Sequence, residues 1–193
     1  MSVRMVLMGP PGAGKGTQAV RLASRFDVPT ISTGDIFRAN IKDGTALGQQ
    51  AAEYTVRGQL VPDALTDALV ADRLAQPDAA GGFVLDGYPR NPAQVAALDD
   101  VLAQQDAELD VVIEIAVDTE VVTQRMLRRA QIEGRDDDTA ETIAERLAVY
   151  EAQTEPLAEI YVNRGILAQV DGLAEIDEVT ERLVAAVEPF VGG

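Results

Sequence analysis

A chain of 193 residues with 47% hydrophobic content is long enough to bury one substantial core and short enough to form a single domain with small insertions. It carries 32 acidic against 16 basic residues, a formal net charge of −16, and so lacks the basic excess that nucleic acid or an anionic membrane surface would demand of a partner. Neither cysteine nor histidine is present, which excludes disulfides, thiolate or imidazole metal sites, and Ser-His or Cys-His nucleophiles.

Met1-Ser2-Val3-Arg4 has no basic segment followed by a long apolar run. No later apolar stretch reaches the roughly 18 residues of a membrane span, so a cytoplasmic location is the expectation. Only Lys15 and Lys42 among the basic residues are lysines. The acidic excess reads either as a solvated surface or as adaptation to high salt, where screening relieves self-repulsion.

Val3 to Met8 is a short run of branched and apolar residues that reads as a buried strand, and it ends in Gly9-Pro10-Pro11-Gly12-Ala13-Gly14-Lys15-Gly16-Thr17. From Lys15 onward, Ala19, Leu22, Ala23 and Phe26 recur on one helical face. Further buried strands are predicted over residues 28–33, 83–86, 111–117 and 166–170, with helical patterns between them. One helix opens at Asn91-Pro92, where Asn caps and Pro takes the first helical position, carrying Val95, Leu98 and Leu102 inward. Another closes the chain with Ile176, Val179, Leu183 and Val187. Strands separated by helices imply parallel pairing with right-handed crossovers, hence an α/β three-layer sandwich with helices on both faces.

Two stretches interrupt the rhythm. The helical block over residues 34–76 is too long for one crossover and contains an insertion over the sheet's carboxyl edge, drawn at about residues 32–61. A polar Arg- and Asp-rich stretch at about 128–138 is too short to hold a core and reads as a mobile lid, leaving residues 1–31, 62–127 and 139–193 as the core.

Glycines between a strand and a helix let backbone N–H groups converge on an anion, and the positive helix N-terminus adds to them. Phosphate is the natural ligand. Lys15 supplies a point charge to the β and γ phosphates, and the Thr17 hydroxyl can hold Mg²⁺ or a phosphate oxygen. Gly16 stands directly after the lysine and the hydroxyl comes one place later, a departure from the generic P-loop pattern. A bare connecting turn is the alternative, opposed by the strand before, the helix after and the lysine in place.

With Ser32-Thr33-Gly34-Asp35, Asp86-Gly87-Tyr88-Pro89-Arg90 and the late pair Arg135 and Arg146 following in order, the chain resembles the adenylate kinases, in their short-lid form without zinc, over nearly its whole length. That resemblance implies a P-loop core around a five-stranded parallel sheet, a small AMP-binding domain and a lid, with ATP, Mg²⁺ and AMP as ligands, transfer of the terminal phosphoryl group of ATP to AMP, and a monomer. It places ATP on Gly12, Ala13, Gly14, Lys15, Gly16, Thr17 and Arg129, and near the backbone of Ala174. It places AMP on Gly87, Tyr88, Pro89 and Arg90, with Arg135 and Arg146 reaching AMP and the transferring group. Many relatives carry a longer lid, some with a four-ligand zinc site; here no Cys or His stands to hold that metal.

The chemistry that the residues themselves suggest is consistent with this. Arg38 and Arg90 are positioned to clamp an acceptor phosphate bidentately, the alternative for Arg38 being a solvated helix face. Asp86, at a strand end beside the phosphate loop, is the candidate to hold Mg²⁺ through its water shell, or else caps the following turn. Asp35 is a second candidate for that shell and equally an N-cap. Base selection is assigned to Thr33, the Gln59-Leu60-Val61 segment and above all Gln94, whose amide offers the donor and acceptor that an adenine edge needs; an exposed helical glutamine is the plain alternative. Arg125 and Arg128 precede Arg129 at helical spacing and read either as a cationic edge facing nucleotide or as surface ion pairs. The rivals are a UMP/CMP kinase, a nucleotide sensor without transfer, and a GTPase, the last lacking any guanine-reading Asn-Lys-x-Asp motif.

Overall fold

The computed structural model describes residues 3–133 and 139–191. Five strands form one parallel sheet in the order β2-β3-β1-β4-β5: β1 (Val3–Met8), β2 (Thr30–Ser32), β3 (Gly82–Asp86), β4 (Val111–Ala116) and β5 (Leu167–Asp171). The strands read from the sequence are all present. β2 is shorter than the predicted 28–33 because Pro29 has no N–H to give to a ladder and contributes only its carbonyl, which accepts from Val84 N–H.

The period-two alternation of β1 assigns its side chains to two cores. Val3, Met5 and Leu7 join Val111, Ile113 and Ile115 of β4 under helices α1 (Lys15–Phe26) and α9 (Ile176–Val191). Val6 and Met8 join Phe83 and Leu85 on the other face, under α4 (Asp63–Leu74), α5 (Pro92–Ala103) and α8 (Leu157–Asn163). Both faces are covered, as parallel sheets require. Asn91 caps α5 as its sequence suggests, its side-chain oxygen accepting from Gln94 N–H at 2.9 Å.

Between β2 and α4 lie α2 (Thr33–Lys42) and α3 (Ala46–Thr55), which pack on each other around Phe37, Ala51 and Val61. The cap of α2 is Ser32, whose hydroxyl accepts from Asp35 N–H; the N-cap alternative for Asp35 is therefore not the one adopted. Val70 and Leu74 of α4 belong instead to the second sheet-face core. Helix α6 (Thr119–Glu133) runs on through residues 128–133 rather than breaking at 128, and α7 (Ala140–Val149) resumes behind Thr139, whose hydroxyl accepts from Thr142 N–H. A π-helical turn, Tyr150–Thr154, links α7 to the segment leading into α8. Among the described residues no helix is long and apolar enough to cross a membrane.

Candidate active site

The carboxyl ends of β1, β2 and β3 open into a cleft of about 470 Å³ that continues into a second cavity of about 550 Å³ beside α2 and α3. Ligands of open parallel sheets bind at this edge, where the strand order reverses. Gly34, Arg38, Gly87, Arg90 and Arg146 line both parts.

The loop after β1 can be built only with glycine at key points. Gly12 has φ 84°, and a Cβ there would lie 2.8 Å from the Val122 carbonyl oxygen and 2.9 Å from Met126 Cγ. Glycine at this point lets the loop pack directly on Val122 and Met126. Helix α1 has no side-chain cap and no acidic residue in its first turn, so its N-terminal N–H groups and positive dipole end are left for an anion. Gly12, Gly14, Lys15, Gly16 and Thr17 line the cleft. Ala13 differs: its methyl is buried in the first core and its N–H donates to Pro10 at 3.1 Å.

Lys15 Nζ donates to the carbonyls of Gly9 and Pro10 at 2.8 and 2.9 Å, folding the side chain back across its own loop. Burial pulls its pKa from 10.5 to about 8; Asp86 opposes that, while Arg90, Arg146 and Arg129 push the same way. Asp86 ends β3 close to Gly16, whose hypothetical Cβ would be 3.6 Å from Asp86 Oδ2, and Ser32 Oγ donates to the same oxygen at 3.4 Å. Its carboxylate and the Thr17 hydroxyl open on one cleft and are hard oxygen donors, a set that fits Mg²⁺ arriving with phosphates and keeping most of its waters.

Arg90 follows the Gly87-Tyr88-Pro89 turn. Its Nε donates to Gly87 O at 2.7 Å, its N–H to Gln94 Oε1 at 2.8 Å, and its carbonyl accepts from Thr154 Oγ at 2.8 Å. Burial lowers its pKa to about 10, with Arg146 and Arg38 adding to the effect and Asp86 opposing it, so it stays charged near neutrality. Gly87, at φ 82°, leaves room for that guanidinium: a Cβ would sit 3.0 Å from Arg90 Nη2 and 2.9 Å from Thr33 Oγ. Arg38 lies along Gly34 and donates to Asp35 at 2.5 Å, its side chain 37% exposed and facing the cleft rather than wholly solvated.

Helical geometry separates the α6 arginines. Arg125 and Arg129, one turn apart, line the cleft beside buried Met126, whereas Arg128 is exposed and does not. Arg146 of α7 lines both parts. Arg135 lies outside the described residues. Ala174 packs against the first core and is not among the residues lining the cleft.

Thr33, Gln59, Leu60, Val61 and Gln94 line the second cavity. Thr33 is 3% exposed and donates to Gly87 O at 3.0 Å. Gln94 is 2% exposed, so the reading of an exposed helical glutamine is set aside. Asp63 Oδ1 accepts from Gln94 Nε2 at 2.8 Å and from Asn91 Nδ2 at 2.9 Å, and Tyr88 OH donates to Asp67 at 2.7 Å. The Asp67 carboxyl is pushed up chiefly by burial, against the Tyr88 hydrogen bond, with Asp63 adding to the rise. Neither aspartate nor Thr154 stands out in the sequence, because each reaches the site from a segment distant along the chain.

A parallel sheet whose first strand turns through a glycine loop and lysine into a helix, with a second cationic cavity alongside, defines a P-loop nucleotide-binding protein built for two phosphate-bearing ligands. The chain belongs to the adenylate kinase family, whose family model, Adenylate kinase, matches residues 7–166. It is 55% identical over 185 residues to an adenylate kinase of Kocuria rhizophila, covering 96% of this chain and 98% of that one. Over 186 residues it is 54% identical to an adenylate kinase of Thermobifida fusca, covering 96% and 98%. Against an adenylate kinase of Bifidobacterium longum it is 53% identical over 186 residues, covering 96% and 100%.

Proposed function

We propose that this chain catalyses the reversible transfer of the terminal phosphoryl group of Mg-ATP to AMP, giving two ADP, and so serves adenine nucleotide homeostasis. The observation that carries the reading is the convergence of Lys15, Arg38, Arg90, Arg129 and Arg146 on one cleft that opens into a second cavity. A nucleotide sensor has no need of an acceptor clamp.

In this reading the glycine loop and Lys15 hold the β and γ phosphates of ATP, and Arg38 and Arg90 hold the acceptor phosphate. An acceptor phosphate oxygen bonds to the terminal phosphorus as the bond to the leaving ADP oxygen breaks. No enzyme-bound phosphoryl intermediate and no dedicated general base take part. Arg129, Arg146 and Arg135 meet the charge spread over the transferring group, so that rate comes from positioning and fixed cations. Magnesium, held through water by Asp86 and near the Thr17 hydroxyl, would neutralise phosphate charge. Thr33, the Gln59-Leu60-Val61 segment and Gln94 read the acceptor base. We assign residues 32–61 to acceptor binding and about 128–138 to a lid whose closure keeps out water.

The test mixes purified protein and Mg-ATP with AMP, CMP, UMP or GMP in turn, and resolves products by chromatography over time. Diphosphate formation with AMP far exceeding the others supports the reading. Preference for CMP or UMP moves Thr33 and Gln94 out of the adenine-reading role, and ATP binding without transfer to any acceptor makes the chain a sensor.

A further inference from the structure

We infer that Asp63 sets acceptor-base specificity by locking the side-chain amide of Gln94 in one orientation. The inference rests on Gln94 being the residue that reads the base.

Asp63 is the first residue of α4, and Gln94 lies in the first turn of α5. Two contacts hold the amide, one at each end. Gln94 Nε2 donates to Asp63 Oδ1 at 2.8 Å, and Gln94 Oε1 accepts from Arg90 N–H at 2.8 Å. A backbone N–H only donates and an ionised carboxylate only accepts, so one orientation satisfies both. Turning the amide by half a rotation would set its NH₂ against the Arg90 N–H and its oxygen against the carboxylate. At 2% exposure, Gln94 has little water to absorb that mismatch. Asn91 Nδ2 donates to the same Asp63 oxygen at 2.9 Å and holds the carboxylate in place.

An amide has two N–H groups and two acceptor positions. The lock uses one of each and leaves one of each, in fixed order, on a residue lining the cavity with Thr33, Val61 and Arg38. A 6-aminopurine presents a ring-nitrogen acceptor beside an amino donor, and seated with its ring nitrogen towards Nε2 and its amino group towards Oε1 it pairs with that order. A 6-oxopurine presents the reverse, a ring N–H beside a carbonyl, and pairs only with the turned amide. Asp63 is not among the residues lining either part of the cleft, so it acts through Gln94 as a positioning residue. A carboxylate that merely favoured the start of α4 through the helix dipole would affect stability and leave base choice alone.

The experiment measures kcat/KM for AMP and for inosine monophosphate, a 6-oxopurine, with Mg-ATP, in the parent chain, Asp63→Ala and Gln94→Ala. The expected result is a fall of roughly tenfold in the AMP to inosine monophosphate ratio in both variants, since a site built to pair one edge loses discrimination when its pairing groups are freed. A fall in Gln94→Ala alone overturns the lock and leaves the base reader standing. No fall in either removes Gln94 from base reading and the proposal with it, and a fall in Asp63→Ala alone shows Asp63 acting by another route and also overturns it. If Asp63→Ala does not fold, Asp63→Ser keeps a polar helix start with a side chain too short to reach the amide, and the same fall in ratio is required of it.

Discussion

The hydroxyl of Thr154 donates to the carbonyl of Arg90 at 2.8 Å across 64 residues of sequence. With Gln94 Oε1 taking the N–H of the same residue, the backbone of Arg90 is gripped on both sides. Thr154 ends a π-helical turn, a local irregularity that proteins often place at functional sites. Thr154→Val keeps the shape and removes the donor, leaving a carbonyl without its partner, at a cost of about 1–3 kcal/mol. We expect melting a few degrees lower and an acceptor KM raised several-fold. Unchanged kinetics beside lowered melting would reduce Thr154 to a support of the fold.

Proton uptake on nucleotide binding follows from the Lys15 pKa of about 8, lowered by burial from 10.5. Below about pH 8 folded and unfolded chains both carry this proton, and the folded chain bears the cost of burying the charge. Between about 8 and 10.5 the unfolded chain keeps a proton that the folded one has released, so this group's contribution to stability improves as pH rises. Bound phosphates restore the charge. Calorimetric ATP titrations at about pH 9 in buffers of different ionisation enthalpy should register uptake of about one proton, absent near pH 7 and in Lys15→Met. Equal heats in all buffers at about pH 9 would contradict this.

The loop after α3 is pressed onto α7 at Gly58, where φ is 72° and a Cβ would stand 2.8 Å from Thr142 O and 3.0 Å from Arg146 Cγ. Thr142 Oγ also donates to Val56 O at 3.3 Å. Gly58→Ala should therefore destabilise the chain by about 2–4 kcal/mol and weaken acceptor binding through the displaced Arg146. Gly165→Ala, at φ 71° with nothing within 4 Å, carries the backbone strain without the clash and should cost only about 1–2 kcal/mol. Denaturant unfolding and acceptor KM on the two variants check the difference.

A net charge of −16 repels itself. Raising KCl from about 0.1 to about 1 M shortens the screening length from about 10 to about 3 Å, and melting should rise with it. A thermal scan over that range decides the matter, since a fall in melting temperature would leave the acidic surface with no role in salt tolerance.

Most of the fold was legible in the sequence because its signals are local. β1 alternates between two cores, and Asn91-Pro92 opens α5 as capping chemistry requires. The departures have local causes too: Pro29 shortens β2, and α6 runs through 133 because nothing from Arg128 to Ile132 breaks a helix. Within the site, Lys15, Asp86 and Arg90 announce themselves by standing beside glycine turns at strand ends. Asp63, Asp67 and Thr154 do not, since their importance comes from hydrogen bonds between segments that only the folded chain brings together. Gln94 was legible as a candidate base reader, and the folded chain adds that it lines the second cavity with its amide already engaged at both ends.

Terminally labelled ATP tests directly whether phosphoryl transfer runs between two adenine nucleotides in one cleft. Incubated with AMP and Mg²⁺, the chain should move the label into ADP formed from AMP, with no release of inorganic phosphate, and Arg90→Ala should slow this by about 100-fold or more. Label appearing as inorganic phosphate, or a rate unchanged by Arg90→Ala, would contradict it.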